Sequence, residues 1–220
     1  MATTGRRLRA DAERSIRTIL EAAERLLSEN PGATMEQIAE AAGVARTTVH
    51  RRFSSREALV ETMATSAWQE ISDAVDAARP YTAPPLVAMH QATANVVQIK
   101  SGWRFALGAL PPPGEEATRI HNEVMAKCDA VFARALEAGL LRPGTDPLWA
   151  RQVYLALISE AVHCSPADVR AQAPDGPDDP DALAALIIDT LLYGLAPRRP
   201  GPPVAQDTQE VDLPAGHDRS

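Results

Sequence analysis

The chain has 220 residues, of which 45% are apolar and 23% charged, and these proportions are typical of a globular protein rather than a disordered or fibrous one. Its net charge is −7, and its two cysteines, Cys128 and Cys164, are too few for a zinc finger or a disulfide framework. Because no apolar run could span a bilayer and the arginine-rich N-terminus lacks the apolar core of a secretory signal, we expect a cytoplasmic protein with no membrane partner.

The chain begins with a polar, basic stretch followed by a helix. We expect residues 1–11 to form a flexible basic arm. Apolar side chains then recur at helical spacing from Ile16 to Leu27. This spacing predicts an amphipathic helix that ends near Glu29, before a proline-glycine breaker.

Two short helices are predicted next, joined by a tight turn. Thr34 and Gln37 form a capping-box pair that opens the first of them, and Gly43 ends it because glycine accepts a positive φ. The other helix is predicted from about Ala45 to Phe53. Such a pair has the dimensions of a DNA-reading helix-turn-helix, whose second helix presents polar side chains outward. The side chains that meet this demand are Arg46, Thr47, Thr48, His50 and Arg51.

Positive charge is concentrated in the part of the sequence that contains this motif. Residues 1–63 hold ten arginines and nine acidic residues, a net charge of +1, whereas the remaining 157 residues carry −8. Between Ala41 and Arg56 there are four arginines, one histidine and no acidic residue. A local basic surface of this kind is the electrostatic signature of a nucleic-acid interface, even in an acidic chain.

Helical patterns continue through the rest of the chain. Ser54 and Glu57 form a second capping box, which predicts a long helix to about Ala78. The further predicted helices are 84–100, 102–110, 115–138, 146–164 and 181–195. A polar loop is expected at 165–178 and a disordered, proline-containing tail at 197–220. The fold class is therefore all-α, with a three-helix DNA-binding domain at 12–62 and a larger helical ligand-binding and dimerisation domain at 63–196.

The sequence TMEQIAEAAGVARTTVHRRFSSREAL, from Thr34 to Leu59, resembles the DNA-binding signature of tetracycline-repressor-like (TetR-type) transcriptional regulators. The close match covers about residues 12–62, and the remainder resembles the family in length and helix order. The resemblance implies that Arg46, Thr47 and Thr48 face base edges. It implies phosphate contacts for Thr34, His50, Arg51 and Arg56.

This chain departs from the usual TetR-type pattern at three positions. Thr47 replaces a common glycine, which adds a side chain where bases are read and predicts an altered operator. His50 stands where tyrosine is usual and is shorter. Ser54 replaces a frequent proline and, as an N-cap, is expected to do the same structural work.

Helices 146–164 and 181–195 are apolar on nearly all sides, so they need cover on two sides. A partner subunit could supply one cover, and TetR-type regulators use their last two main helices as a four-helix dimer interface. The alternative is burial within the core of a monomer. The predicted interface residues are Leu155, Ile158, Val162, Leu183, Ile187, Leu191 and Gly194.

Aromatic, methionine and a few polar side chains between these ends suit a ligand cavity, although such residues are more often ordinary core. The predicted lining residues are Trp68, Met89, Trp103, Phe105, His121, Met125, Trp149 and Tyr154. We expect no catalytic residue, metal site or cofactor, because no carboxylate pair, nucleophile elbow or phosphate loop stands out. His121 and Cys128 are seven residues apart, a weak indication of a metal.

The leading interpretation is a repressor that binds a palindromic operator in double-stranded DNA as a homodimer and is released by a small-molecule effector. One alternative is a helical small-molecule-binding protein or enzyme in which the helix-turn-helix is only structural. Another is an activator. The structural alternative gives no reason for the absence of acidic residues between Ala41 and Arg56.

Overall fold

A computed structural model describes residues 2–109, 112–163 and 179–194, without the side chains of residues 2–13 and 163. The predicted loop at 165–178 and the predicted tail at 197–220 lie outside the described residues. Within these residues the chain forms eight helices and no strand, which confirms the all-α prediction. The helices are α1 (Ala2–Glu29), α2 (Met35–Ala41), α3 (Arg46–Arg52), α4 (Arg56–Ala77), α5 (Pro85–Gly102), α6 (Glu115–Glu137), α7 (Pro147–His163) and α8 (Pro180–Tyr193).

The first helix is longer than predicted. It begins at Ala2, so residues 2–11 form its first turns where a separate flexible arm was expected. No proline interrupts this stretch, and its alanines, arginines and leucine are strong helix formers, which outnumber the weaker Thr3, Thr4, Gly5 and Asp11. The backbone therefore continues the amphipathic helix toward the N-terminus.

The helix predicted at 102–110 is wrong for the residues that the structure describes. The α5 helix ends at Gly102, and Trp103 leaves helical geometry with φ −127° and ψ 46°. The backbone N–H groups of Phe105 and Ala106 donate to the Glu24 carboxylate of α1, at 2.6 and 3.1 Å. Turns rather than a helix therefore follow α5, fixed by a contact with a residue about 80 positions away in sequence.

The start of α4 also differs from the prediction by one residue. Its N-cap is Ser55, whose hydroxyl accepts a hydrogen bond from the Ala58 N–H at 3.2 Å, and Ser54 is exposed outside the helix. Both serines could cap a helix in isolation, because both carry an acceptor oxygen. With the helix beginning at Arg56, the position directly before it is the one that caps.

Two apolar cores hold the helices together. The first is formed by α1 to α4 and continues without a break into Ala106, Leu107 and the α6 residues Ala117, Ile120 and Val124. The second joins α5, the C-terminal half of α6, α7 and α8, and includes Phe132. The first core therefore crosses the predicted domain boundary at residue 62.

Candidate DNA interface and ligand cavity

The turn between α2 and α3 is a Schellman motif. Gly43 has a φ of 65°, its N–H donates to the Glu40 carbonyl at 3.0 Å, and the Val44 N–H donates to the Ala39 carbonyl at 3.0 Å. Both bonds satisfy carbonyls that the end of α2 would leave unpaired. The turn thereby fixes the direction in which α3 leaves α2.

The start of α2 is fixed by the capping box predicted from sequence. The Thr34 hydroxyl accepts from the Gln37 N–H at 3.3 Å, and the Gln37 side-chain oxygen accepts from the Thr34 N–H at 2.9 Å. Thr34 is exposed at this helix end. Its position brings polar groups to the surface beside α3.

The α3 helix has one buried side and one polar side. Val49 is fully buried, and Phe53, the C-cap residue, is 4% exposed. The exposed side chains of α3 are Arg46, Thr47, His50, Arg51 and Arg52, with Thr48 half-buried. The α3 helix thus offers hydrogen-bond donors and a methyl-bearing threonine to a partner that approaches from solvent.

Arg46 is held by a neighbouring helix in this structure. Its Nη2 lies 2.5 Å from Oε1 of Glu36 on α2, and its Nε lies 3.4 Å from Nε2 of His50. The backbone N–H at the helix start, and then the Arg46 guanidinium, lower the pKa of Glu36. The pair is exposed, so competing anions can replace the carboxylate at small cost.

Arg56 ties α4 to the segment between α1 and α2. Its Nη2 donates to the Pro31 carbonyl at 2.5 Å and its Nε to the Ala33 carbonyl at 3.4 Å. The side chain is half-buried as a result. Arg56 therefore has a structural role in addition to any contact with DNA.

A cavity of about 220 Å³ lies among α4, α5, α6 and α7, and Leu107 and Gly108 also contribute to its lining. Most of its wall is apolar. The wall includes Ile71 and Val75 of α4, Met89 and Val96 of α5, and Phe132 of α6. Its lining side chains with polar atoms, in the described part of the chain, are Trp68, Lys100, His121, Cys128, Tyr154 and Ser159.

Tyr154 is anchored at the cavity wall by a buried hydrogen bond. The Thr93 hydroxyl donates to the Met89 carbonyl at 2.6 Å, so its single proton is used and the Tyr154 hydroxyl donates to Thr93 across 2.8 Å. Burial raises the pKa of Tyr154. The phenol therefore stays neutral and works as a fixed donor.

Two further titratable groups in the wall, Cys128 and His121, are also shifted toward their neutral forms, and burial lowers the pKa of Lys100 as well. Burial raises the pKa of the Cys128 thiol to about 11, which leaves it unreactive near neutral pH. Burial also lowers the pKa of His121, opposed by a hydrogen bond to Asn122 and reinforced by Arg151. The His121 ring packs edge-on against Trp68, with centroids 4.6 Å apart.

The sequence and the fold were compared with known proteins. The family described as "Bacterial regulatory proteins, tetR family" matches residues 19–63. The HTH-type transcriptional repressor LfrR of Mycolicibacterium smegmatis is 30% identical over 150 residues, which cover 66% of this chain and 76% of that repressor. The chain belongs to the TetR family of transcriptional regulators.

Solved structures of TetR-family regulators share the fold. LfrR in complex with proflavine covers 84% of this chain and 98% of its own, with 23% identity and a TM-score of 0.59. PfmR from Thermus thermophilus covers 81% and 99%, with 20% identity and a TM-score of 0.65. AibR in complex with isovaleryl coenzyme A and operator DNA covers 81% and 98%, with 19% identity and a TM-score of 0.64.

Five of the eight predicted ligand-binding residues of this TetR-family regulator line the cavity. They are Trp68, Met89, His121, Met125 and Tyr154. Trp103 instead donates its indole N–H to Glu70 at 3.0 Å, and Phe105 packs against the first core. Trp149 is 62% exposed on α7. Helical periodicity alone did not separate these three from the cavity wall.

Sequence reasoning missed several lining residues, among them Lys100, Ile71 and Val96. The sequence does contain a signal for Lys100, because this lysine is the one charged residue of α5. A lone lysine near the end of an otherwise uncharged helix is a candidate polar contact for a cavity.

The residues predicted for a dimer interface fall into two groups. Ile158, Leu183 and Ile187 are 3–5% exposed and lie in the second core of the single chain, and Ile158 and Leu155 line the cavity. The α5 helix covers α8 from inside the chain, which sequence periodicity did not reveal. Val162 and Leu191 are half-buried, and Gly194 is exposed with a φ of 72°.

In the part of the chain that the structure describes, no helix is long and apolar enough to cross a membrane. The same described residues also hold no group of three or more His, Cys, Asp or Glu side chains that could bind a metal ion.

Proposed function

We propose that this TetR-family regulator is a cytoplasmic repressor that binds a palindromic operator as a homodimer and is released by a small-molecule effector. The observation that carries the proposal is the outer surface of α3, which presents arginine, threonine and histidine side chains within a stretch, Ala41 to Arg56, that contains no acidic residue. The DNA-binding domain comprises residues 12–62, and the ligand-binding and dimerisation domain residues 63–196.

In the proposed complex α3 enters the major groove. Arg46, Thr47 and Thr48 read base edges, where arginine can grip guanine with two hydrogen bonds and a threonine methyl can meet a thymine methyl. On binding, Arg46 exchanges the Glu36 carboxylate for acceptors on the DNA. The proposed phosphate contacts are Thr34, His50, Arg51 and Arg56.

The outer sides of α7 and α8 support the proposed homodimer. Leu148 and Trp149 of α7 are 51% and 62% exposed, and Tyr193 of α8 is 55% exposed. Ala156 of α7 and Ala185 of α8 are small and exposed, and small residues allow helices of two subunits to approach closely. Two α3 helices held at a fixed separation then read two half-sites on one face of the duplex.

Release by an effector requires a connection between the cavity and α3, and α4 supports one. Trp68, Ile71 and Val75 in the C-terminal half of α4 line the cavity, while Arg56 at its start holds the segment before α2. An effector that favours a different tilt of α4 would change the separation of the two α3 helices. The operator affinity would then fall through a population shift.

The cavity suits an effector with an apolar body. Solved relatives of the same fold contain proflavine in LfrR and isovaleryl coenzyme A in AibR, and the second also contains operator DNA. Both compounds have an apolar portion that a wall like this one could enclose.

Arg46→Ala and Arg51→Ala test the DNA interface. Fluorescence anisotropy with the region upstream of the protein's own gene should show a loss of affinity of roughly 5- to 150-fold for Arg46→Ala, the value of a bidentate base contact. Arg51→Ala should weaken binding to all duplexes alike and reduce the salt dependence by about one unit of slope. Arg142→Ala, an exposed arginine between α6 and α7, is the control. Unchanged affinity in both α3 variants would contradict the proposal.

A further inference from the structure

Lys100 is the one residue with a formally charged side chain among the described residues that line the cavity. It is half-buried near the end of α5 and shares the wall with apolar residues of four helices. No aspartate or glutamate lines the cavity in the described part of the chain. The cavity is therefore positively charged at one place and neutral elsewhere.

The charge of Lys100 is not neutralised within the described part of the chain. No described carboxylate lies within ion-pair distance of its ammonium group, and burial alone lowers the pKa of this group. Lys127, the other lysine of the chain, is bound to Asp76 at 2.7 Å and to the Ser72 hydroxyl at 3.2 Å. Because Lys100 is half-buried and has no described carboxylate partner, it bears part of the cost of removing a charge from water, and an added anion would offset that cost.

A second donor in the same wall is also unused. The indole Nε1 of Trp68 is buried and has no hydrogen-bond partner among the described residues. Buried indole N–H groups usually find an acceptor. The cavity wall thus holds two donors in need of acceptors, one of them charged.

We propose that the effector of this regulator is an organic anion, with an apolar body in the cavity and a carboxylate or similarly acidic group against Lys100. The proposal rests on the effector site proposed above and adds the charge of its ligand. A cavity of about 220 Å³ exceeds the roughly 150 Å³ that encloses benzene. The apolar body is therefore about the size of a bicyclic aromatic or a medium-length alkyl chain.

A matched pair of ligands tests this charge preference on the full-length protein. We would measure binding of 2-naphthoate and of the (2-naphthyl)methylammonium ion by titration calorimetry, and repeat the comparison with octanoate and octylammonium. The carboxylate of each pair should bind at least about tenfold more tightly, because it meets an opposite charge in a poorly solvated site. An equal or greater affinity for the ammonium ligands, or no binding of either pair, would overturn the proposal.

Variants of Lys100 then locate the preference. Lys100→Met keeps an apolar stem of similar length and should abolish the preference for the carboxylate, whereas Lys100→Arg should retain it. Lys127→Met is the matched control, because it removes the chain's other lysine from a position outside the cavity lining and should leave the preference intact. A preference that survives in Lys100→Met would overturn the assignment to this residue.

The binding experiments are independent of DNA. A protein that selects the carboxylates but does not bind its upstream region would contradict the proposed repressor function and leave the effector proposal standing. A protein that binds its operator but selects the ammonium ligands would contradict the effector proposal and leave the proposed repressor function standing.

Discussion

Gly43 determines at the scale of one residue how α3 is positioned. Its φ of 65° lies in the left-handed region, and a Cβ placed there would meet nothing within 4 Å. The cost of a side chain at this position is therefore backbone strain rather than a clash. It amounts to about 1–2 kcal/mol for a residue with a Cβ.

Gly43→Ala should consequently lower the melting temperature by about 2–8 °C for a chain of this size. Gly32→Ala is the control, because Gly32 does not have a positive φ and the nearest atom to its added Cβ is the Asn30 Oδ1 at 3.5 Å. Differential scanning calorimetry of the two variants separates strain from the generic effect of replacing glycine. Equal melting temperatures would refute the role of the turn.

His121 makes stability depend on pH. Its pKa is lowered in the folded protein, so below its usual value of about 6.5 the unfolded chain takes up a proton that the folded chain does not. The free energy of unfolding should therefore fall as the pH decreases from about 6.5 toward the folded pKa, and this contribution should be constant above and below that window.

His121→Gln removes this contribution. Urea unfolding should be measured between pH 5 and 7.5. As the pH decreases, the free energy of unfolding of the wild type should fall relative to that of the variant. A difference that is independent of pH, or that shifts the other way, would show that burial does not disfavour the imidazolium here.

At the scale of elements, the local signals of the sequence identified most helices, and distant contacts decided the exceptions. The Thr34–Gln37 capping box and the stop at Gly43 were predictable because their partners lie within a few residues. The conformation of the segment after α5 was not predictable from local sequence, because its backbone N–H groups donate to the distant Glu24 carboxylate of α1. The same reason separates the cavity residue Trp68 from the exposed Trp149, since both fit helical spacing and only packing distinguishes them.

Glu24 is the residue by which α1 holds the segment that follows α5. It is 5% exposed, accepts two backbone hydrogen bonds and also accepts one from the Ser28 hydroxyl at 3.0 Å. Glu24→Gln keeps the shape but loses the charge and one acceptor, so the free energy of unfolding should fall by about 1–3 kcal/mol. Glu21→Gln, at an exposed position of the same helix, should change it by less than about 0.5 kcal/mol. Similar urea midpoints for the two variants would argue against a structural role of the carboxylate.

At the scale of the whole molecule, the proposed dimer relies on the outer sides of α7 and α8. Trp149→Glu places a charge where a partner subunit would cover an indole, and it should convert a dimer into a monomer while the fold is kept, because the side chain is exposed in the single chain. Analytical ultracentrifugation measures the change, and operator affinity should fall with it. Tyr81→Glu alters another exposed aromatic residue, in the α4–α5 connection, and should leave the assembly intact. A Trp149→Glu protein that sediments as the wild type does would exclude this surface.

The first apolar core has a consequence for anyone who recombines regulators. Leu59 and Met63 belong to the same buried cluster as Leu107, Ile120 and Val124, so the core of α1 to α4 includes residues far along the chain. A chimera cut near residue 62 would join half of this core to a foreign half with other shapes. A chimera that retains operator binding therefore has to include residues 105–124 together with the N-terminal helices.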